Sequence, residues 1–419
     1  MAKTYEAGEI KILKFDIVSH DGELRQSIIS QVLAFDVYEN IRLPVQYCDV
    51  VINDSINILE EFPIIGEEMF EIEVQLPGME STVEYEFAVL GVTNKVSDPQ
   101  SKFLTYIIQS CSVEIIRNTN NLISKKYKGN PYSAVEEILT KELKTEKLVN
   151  FDPSSVKGDE EMRMSRLTPF QSIDLIRQQT VSQKYKSSSF VFFENRNGFN
   201  FVTLESLFDI KKNDIGDKIF FYDTVVQADQ SSMRQRNILG YSQVIMNNTI
   251  DLLSYGGLSN KTTSFDLRTA TLDQVQYDIK NETSKFKQTD DSEQMMKTGK
   301  FINERTEDDS VHSLFAFNSK NGTTFRQEKY AHQKAFLEQI SQNIVRLKIY
   351  GDPVVTAGAM IDVRYPRIDG LNKKQSVSKL SSGHYLVSKC RHMFTMRTRP
   401  EYKIAMECVK SSYGESEWA

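Results

Sequence analysis

Leu347-Lys348-Ile349-Tyr350-Gly351-Asp352-Pro353, running on through Gly358 into Met360-Ile361-Asp362-Val363-Arg364-Tyr365-Pro366, has a counterpart far upstream. There Ile58-Leu59-Glu60-Glu61-Phe62-Pro63-Ile64-Ile65-Gly66 runs into Met69-Phe70-Glu71-Ile72-Glu73-Val74-Gln75-Leu76-Pro77. Each reads as a short strand, a turn carrying proline and then glycine, and an alternating strand closed by proline, followed by two more strand patterns. Proline stops the preceding strand and glycine permits the tight reversal into the next. The alternating runs put one apolar face toward a core and one charged face outward. The proline-to-glycine spacing differs between the copies, so the repeat is one of structure rather than of residues; two unrelated β-hairpins are the competing reading. A chain that uses one small β-barrel twice lets three copies present six similar units, a property of an assembly component.

At 419 residues the chain is too long for one core and suggests about three domains. Aromatic residues at 10% and charged residues at 26% fit a folded soluble protein. No stretch approaches the roughly 20 apolar residues that cross a bilayer. The start, Met1-Ala2-Lys3-Thr4-Tyr5-Glu6, has no apolar signal segment, so folding in a cytoplasm is expected. A net charge of −6 argues against a dedicated nucleic-acid binder, which needs a surplus of Lys and Arg, although a repelling surface suits DNA that slides past. Cys48, Cys111, Cys390 and Cys408 stand singly with no CxxC pair and read as reduced thiols packed in strands.

The expected fold class is α+β, mainly β: two β-barrels, a small α+β domain and a polar insertion. Residues 1–117 form the first barrel, with strands at Ile10–Ile17, Ile28–Tyr38, Tyr47–Ile52, Phe70–Leu76, Tyr85–Val92 and Leu104–Ile116. Residues 118–205 form the middle domain. It has a helix from Tyr132 to Leu143 with Ser133 as cap, and a helix from Pro169 to Gln183 capped by Thr168. A hairpin follows, Phe190–Phe193 and Phe199–Val202, turning at Gly198. Residues 206–259 and 325–412 form the second barrel with its lead-in helix at Phe325–Gln342. Between them, 260–324 is an extended, loop-rich polar insertion. Asp369–Lys374 is an exposed loop and 413–419 a frayed tail.

No catalytic, cofactor-binding or metal residues are assigned. There is no GxSxG elbow, no phosphate-cradling GK[ST] loop and no HExxH helix. His20, His312, His332, His384 and His392 lie in separate segments. Cys390 and His392 share one strand face, but two ligands do not make a site. Glu60-Glu61, Glu67-Glu68 and Glu136-Glu137 are adjacent in sequence, so they cannot grip one substrate between them, and they read as solvated charge.

The runs LEEFPIIGEEMFEIEV, PFQSIDLIRQQ, LKIYGDPVVTAGAMIDV, GHYLVSKCRHMF and YKIAMECV, in that order, resemble the central baseplate hub protein of contractile-tailed, T4-like bacteriophages, the gene-27-like hub family. The resemblance covers most of the chain and lies in domain order and pattern. It implies tail-tube-like barrels and a homotrimer with a pseudo-sixfold ring, joining the sixfold tail tube to the threefold spike. Its partners would be a separate spike protein, tail tube or tube-initiator proteins and other baseplate proteins, with DNA passing through the lumen without specific binding. It implies no cofactor and no catalytic residue. The chain departs from the family pattern in the insertion at 260–324. The virion tail baseplate, assembled in the host cytoplasm, is the implied location.

Two other readings stand beside this one. The hub of a secretion or extracellular contractile injection system would share the same fold. A tail-associated cell-wall hydrolase, or a carbohydrate-binding module using the aromatic hairpin, would place function in a site rather than in an assembly.

Overall fold

The structure, a computed structural model, describes residues 7–62, 64–75, 82–97, 103–152, 154–155, 161–209, 216, 218–222, 235–282, 289, 311–317, 325–366, 378–396 and 399–413. The chain is mainly β. Alternating apolar residues build the first unit: β1 (Lys11–Val18), β2 (Arg25–Ser27), β3 (Val32–Asn40), β4 (Tyr47–Asp54), β5 (Met69–Gln75), β6 (Thr82–Ser97) and β7 (Leu104–Cys111). Phe15 and Ile17 of β1, Phe70, Ile72 and Val74 of β5, and Cys48, Val50 and Ile52 of β4 are buried. Leaving β2 aside, the strand order is β3-β4-β7-β6-β5-β1. The strand expected at Ile58 is instead a helical turn, Ile58–Glu61. Only Ile58 of it is buried, and Asn57 before it takes a left-handed φ of 61°, which turns the chain out of the preceding strand. Pro63, Leu76 and Pro77 lie outside the described residues.

The middle domain carries the short strands β8 (Lys126–Tyr127), β9 (Val149–Phe151), β10 (Ser154–Ser155), β11 (Met162–Arg163) and β12 (Val181–Ser182), and the hairpin β13 (Phe190–Asn195) and β14 (Gly198–Thr203). Its first helix, Pro131–Glu137, is capped by Asn130 rather than Ser133: the Asn130 side chain accepts from Tyr132 N, and Pro131 takes the first position, where no N–H is needed. The chain continues as a π-helical turn, Ile138–Glu142. The second helix, Pro169–Gln179, has a full capping box between Thr168 and Gln171. It stops short of Gln183 because Val181 and Ser182 pair with β10. Phe190, Phe193, Phe199 and Phe201 are each at most 1% exposed, so these four rings are core, while Phe192 is half-buried.

The second unit consists of β15 (Ile219–Phe221), β16 (Ile238–Met246), β20 (Asn343–Tyr350), β21 (Met360–Arg364), β22 (Gly383–Thr395) and β23 (Glu401–Val409). Between β16 and β20 the insertion contributes β17 (Ser259–Asp266), β18 (Thr271–Asp278) and β19 (Val311–Phe317), a separate three-stranded sheet. The helix Phe325–Ile340 packs there, with Ala331 and Ala335 against Leu252, Leu258, Tyr277 and Ile279. Residues 259–278, expected to be loop-rich, are therefore a strand pair. Asp369–Lys374 and residues 414–419 lie outside the described residues.

In the second unit the strand order is β16-β20-β23-β22-β21-β15. Numbering the six principal strands of each unit from first to sixth along the chain, both units run second-third-sixth-fifth-fourth-first. That shared permutation is the structural repeat announced by the two proline–glycine turns. Among the described residues, continuous ladders close neither unit. In the first, β2 pairs with β1 over Asp16↔Ser27, Ile17↔Gln26 and Val18↔Arg25, and the chain then steps through Ile28–Gln31 into β3. In the second, a bridge between Phe221 and Asn237 leads directly into β16. The units are barrel-like and seamed, and they are not separate. β22 pairs β21 with its first residues (Gly383–Leu386) and β3 with its last (Lys389–Thr395). One apolar core accordingly runs through both, from Ile10 and Phe15 to Ile404 and Cys408.

Candidate functional site: the joint of the two β units

Where β22 passes from one unit to the other, buried polar groups from three parts of the chain converge. Glu39 ends the inward row Phe35-Val37-Glu39 of β3, so the pleat aims its carboxylate into the joint. Its Oε1 accepts from Gln46 Nε2 at 2.8 Å and from the Arg196 backbone N–H at 2.8 Å. Its Oε2 accepts from the Ala357 N–H at 2.7 Å. Gln46 leads into β4, Arg196 sits in the β13–β14 turn, and Ala357 lies in the loop before β21. On β22, two residues beyond the Cys390 that pairs with Glu39, is His392, fully buried, with Nε2 3.6 Å from Oε2. That separation is too long for a hydrogen bond, so the contact is electrostatic. His392 Nδ1 and the Tyr402 hydroxyl share a hydrogen bond of 2.7 Å. Burial pushes the Glu39 carboxyl up, but His392 and the N–H groups of Ala357 and Arg196 outweigh it and hold the carboxyl below its ordinary value.

A second cluster extends this network into the middle domain. Glu194 Oε2 accepts from Gln46 N at 3.1 Å, and Glu194 Oε1 from Lys147 Nζ at 2.6 Å. Lys147 also reaches Glu114 at 2.8 Å, and Thr145 donates to Glu114 at 2.7 Å. Burial raises the Glu194 pKa and Lys147 only partly offsets it. For Lys147, burial works downward, but the two carboxylates win and raise its pKa. The adjacent Asn195 donates to the Ala357 carbonyl at 2.9 Å. Beside these polar contacts, Val191, Phe193, Val202 and Leu204 pack against Ala357, Met360, Leu386 and Val409 of the second unit. The middle domain thus holds the first unit by charge and the second chiefly by apolar contact.

This arrangement fixes positions: each carboxylate in it accepts from donors in neighbouring segments. Cys390 and His392 belong to this joint, and the other candidate residues lie outside it. Cys48, Cys111, Cys390 and Cys408 are buried free thiols in strands. Burial pushes Cys48, Cys111, Cys390 and Cys408 above the ordinary thiol range. Glu60, Glu61 and Glu136 are exposed, and Glu137 pairs with Lys141 at 3.1 Å. Glu68 corrects the solvated-charge reading: it is fully buried and accepts from the N–H groups of Ile65 and Gly66, bracing the turn into β5. The structure brings Cys390 and His392 together with Glu39, a partner that sequence reasoning missed. The available signal was an acidic residue standing on the apolar face of an alternating strand.

The outer surface carries apolar side chains on strand edges. Among the described residues β16 pairs only with β20, and its Leu239, Val244 and Met246 are exposed. Val96 and Phe103, where β6 and β7 approach their connection, are exposed as well. Among the described residues no helix is long and apolar enough to cross a membrane.

No protein-family model and no curated protein matches the sequence. Solved structures do match. The prophage MuSo2 43 kDa tail protein from Shewanella oneidensis aligns over 95% of this chain and 98% of its own with a TM-score of 0.56 at 10% identity. The tail protein from Neisseria meningitidis MC58 aligns over 95% of this chain and 96% of its own with a TM-score of 0.54 at 7% identity. Both alignments run through both β units and the domain between them, so the chain has the fold of phage tail proteins of this kind.

Proposed function

We infer that the chain is the structural baseplate hub of a contractile phage tail. Three copies form a ring in which the two β units of each subunit alternate around the axis. Six similar units then face the sixfold tail tube, while the threefold side receives a separate spike protein. The observation that carries this reading is the strand order shared by the two units. A duplicated unit is what converts three subunits into a near-sixfold ring, and the buried joint at Glu39 fixes the angle between the copies. The exposed edge of β16 and the β6–β7 hairpin are the surfaces that neighbouring subunits would cover. The working domains are 1–117, 118–205, and 206–259 with 325–412, with 260–324 turned toward other baseplate proteins. The lumen passes DNA without binding it, consistent with the net charge of −6. In this reading the chain performs no catalysis, and its place is the virion tail, assembled in the host cytoplasm.

Light scattering on the purified chain, alone and with the spike protein encoded beside it, tests the assembly. A trimer is expected, and images should show a ring with a central channel. A monomer at high concentration with the spike present would sink the proposal. If the chain instead assembles on the spike of a secretion or injection apparatus, the hub reading survives and the phage assignment falls. A zymogram clearing peptidoglycan would restore the hydrolase.

A further inference from the structure

The geometry points to a buried site for a thiophilic divalent cation, with zinc as the favoured ion, at Glu39, Cys390 and His392. One ligand atom from each of these residues lies within 4.8 Å of the other two, and all three residues are buried. They come from β3 and β22, which are paired in register: Cys390 is opposite Glu39 itself, and His392 lies two residues further along β22. His392 and Glu39 already stand 3.6 Å apart. Atoms bound to one tetrahedral zinc are about 3.3 to 3.8 Å from each other, so the widest pair needs to close by no more than about 1.5 Å. An independent observation points the same way: His392 Nε2 is fully buried, faces this cluster and has no hydrogen-bond partner. A buried ring nitrogen without a partner is costly, and a cation supplies the missing one.

The surroundings complete the case. His392 Nδ1 is held by Tyr402, so with a metal on Nε2 the ring proton sits on Nδ1 and is donated to the Tyr402 oxygen, the outer contact that orients a ligating histidine. Glu39 Oε2 accepts one N–H, from Ala357, and keeps a lone pair for the ion. Binding displaces the Cys390 thiol proton to solvent and forms one metal–sulfur bond, with no change of oxidation state. Thiolate, carboxylate and a divalent cation sum to zero charge. The thiolate and imidazole select zinc over magnesium or calcium. The fourth position falls to a water. Because the ligands come from strands of different β units, the ion would clamp the two units together.

The test refolds the full chain with zinc or cobalt(II), since the site is sealed in the folded state, and measures metal content after gel filtration. About one ion per chain is expected, with a thiolate-to-cobalt charge-transfer absorption. Cys390→Ser and His392→Gln should each lose at least about tenfold in metal affinity, while Cys408→Ser, a buried thiol outside the cluster, should keep it. Folded wild-type chain without metal after both refoldings overturns the proposal. So does metal retained by both Cys390→Ser and His392→Gln. Should the variants fail to fold, the wild-type cobalt spectrum decides, and absence of sulfur charge transfer overturns the site.

Discussion

The two β units share a strand order but not a way of closing it. In the first, β1 meets β5 antiparallel over seven residue pairs. In the second, β15 meets β21 in parallel over three, Ile219↔Asp362 to Phe221↔Arg364. The turn between the second and third strands is residues 41–46 in the first unit and residues 247–342 in the second. The long connection leaves and returns at one point: Met246 pairs with Asn343, and Asn247 N donates to Gln342 O at 2.8 Å. A hairpin tip can take that much chain because loop closure costs grow only slowly with length, provided the inserted segment buries its own apolar residues. Leu252, Leu258, Tyr277 and Ile279 do so in a core of their own. The comparison shows that the strand order is set by the shared core, and that the connections are free to diverge.

Breaking the shared hairpin should produce the largest effect, because β22 pairs with strands of both units. Phe394 stacks on Phe35 of β3 with centroids 4.3 Å apart and on Tyr402 of β23 at 4.4 Å. Phe394→Ala is expected to cost about 3–5 kcal/mol. Urea unfolding followed by far-ultraviolet circular dichroism and by tyrosine fluorescence should give coincident transitions in the wild type. Two separated transitions would mean that the units fold independently and that the single core is not one cooperative body.

How far this was legible in sequence depends on which side chains fill each strand's inner face. In β5 and β23 that face is Phe, Ile, Val, Tyr and Met, and the alternation marks the strand directly. In β17 the buried residues are Ser259, Asn260, Thr262, Ser264 and Asp266, so no hydropathy pattern announces it. Asn260 is held by the Gly256 and Ala331 carbonyls, and Ala331 is distant in the chain. Local chemistry was readable where it was self-contained, as in the Thr168–Gln171 capping box and the positive φ of Gly198, 116°. The joint was not, because Glu39 acquires meaning only from donors at positions 46, 196 and 357. Ile58 and Leu59 form a helical turn where a strand is expected for a related reason: two apolar residues in a row do not distinguish a strand from one helical turn.

Two glycines at corresponding places sharpen the comparison further. Gly66 precedes β5 with φ of 91°, and Gly358 precedes β21 with φ of 85°. A Cβ on Gly66 would meet only the Leu90 carbonyl oxygen at 4.0 Å, whereas on Gly358 it would stand 2.7 Å from the Phe193 ring. Alanine pays the left-handed backbone cost of about 1–2 kcal/mol at both. At Gly358 it adds an overpacking cost of about 1–3 kcal/mol. Denaturant midpoints of Gly66→Ala and Gly358→Ala measure this difference. Equal values would mean that the middle domain does not press on the second unit's turn.

The parallel seam of the second unit should also open more readily than the antiparallel one of the first. Asp362 N donates to Lys218 O at 3.0 Å and Tyr222 N to Arg364 O at 3.0 Å, and both lie on the three-pair ladder. Native-state hydrogen exchange at these two amides is expected to run at least about tenfold faster than at buried amides of β1 and β5. Equal protection would make the two seams equivalent despite their different lengths.

The smallest effect belongs to the charged contact that ties the middle domain to the first unit. Burial raises the Glu194 pKa above its ordinary value, so the folded state holds this proton more tightly than the unfolded chain does. Stability from this group is therefore fully present below the unfolded value near 4.5 and falls as pH rises through the higher folded value. Lys147, also raised, contributes stability that persists to about its unfolded value of 10.5 and is lost only above it, so the two windows do not overlap. Glu194→Gln keeps an acceptor for Gln46 N and removes the ionisation, and Lys147 retains Glu114. Thermal midpoints between pH 4.5 and 8 should decline less steeply in Glu194→Gln than in the wild type. Phe193→Leu, on the apolar side facing the second unit, should shift the whole profile without changing its slope. Should both variants alter only the level, the division of the middle domain into a charged side and an apolar side fails.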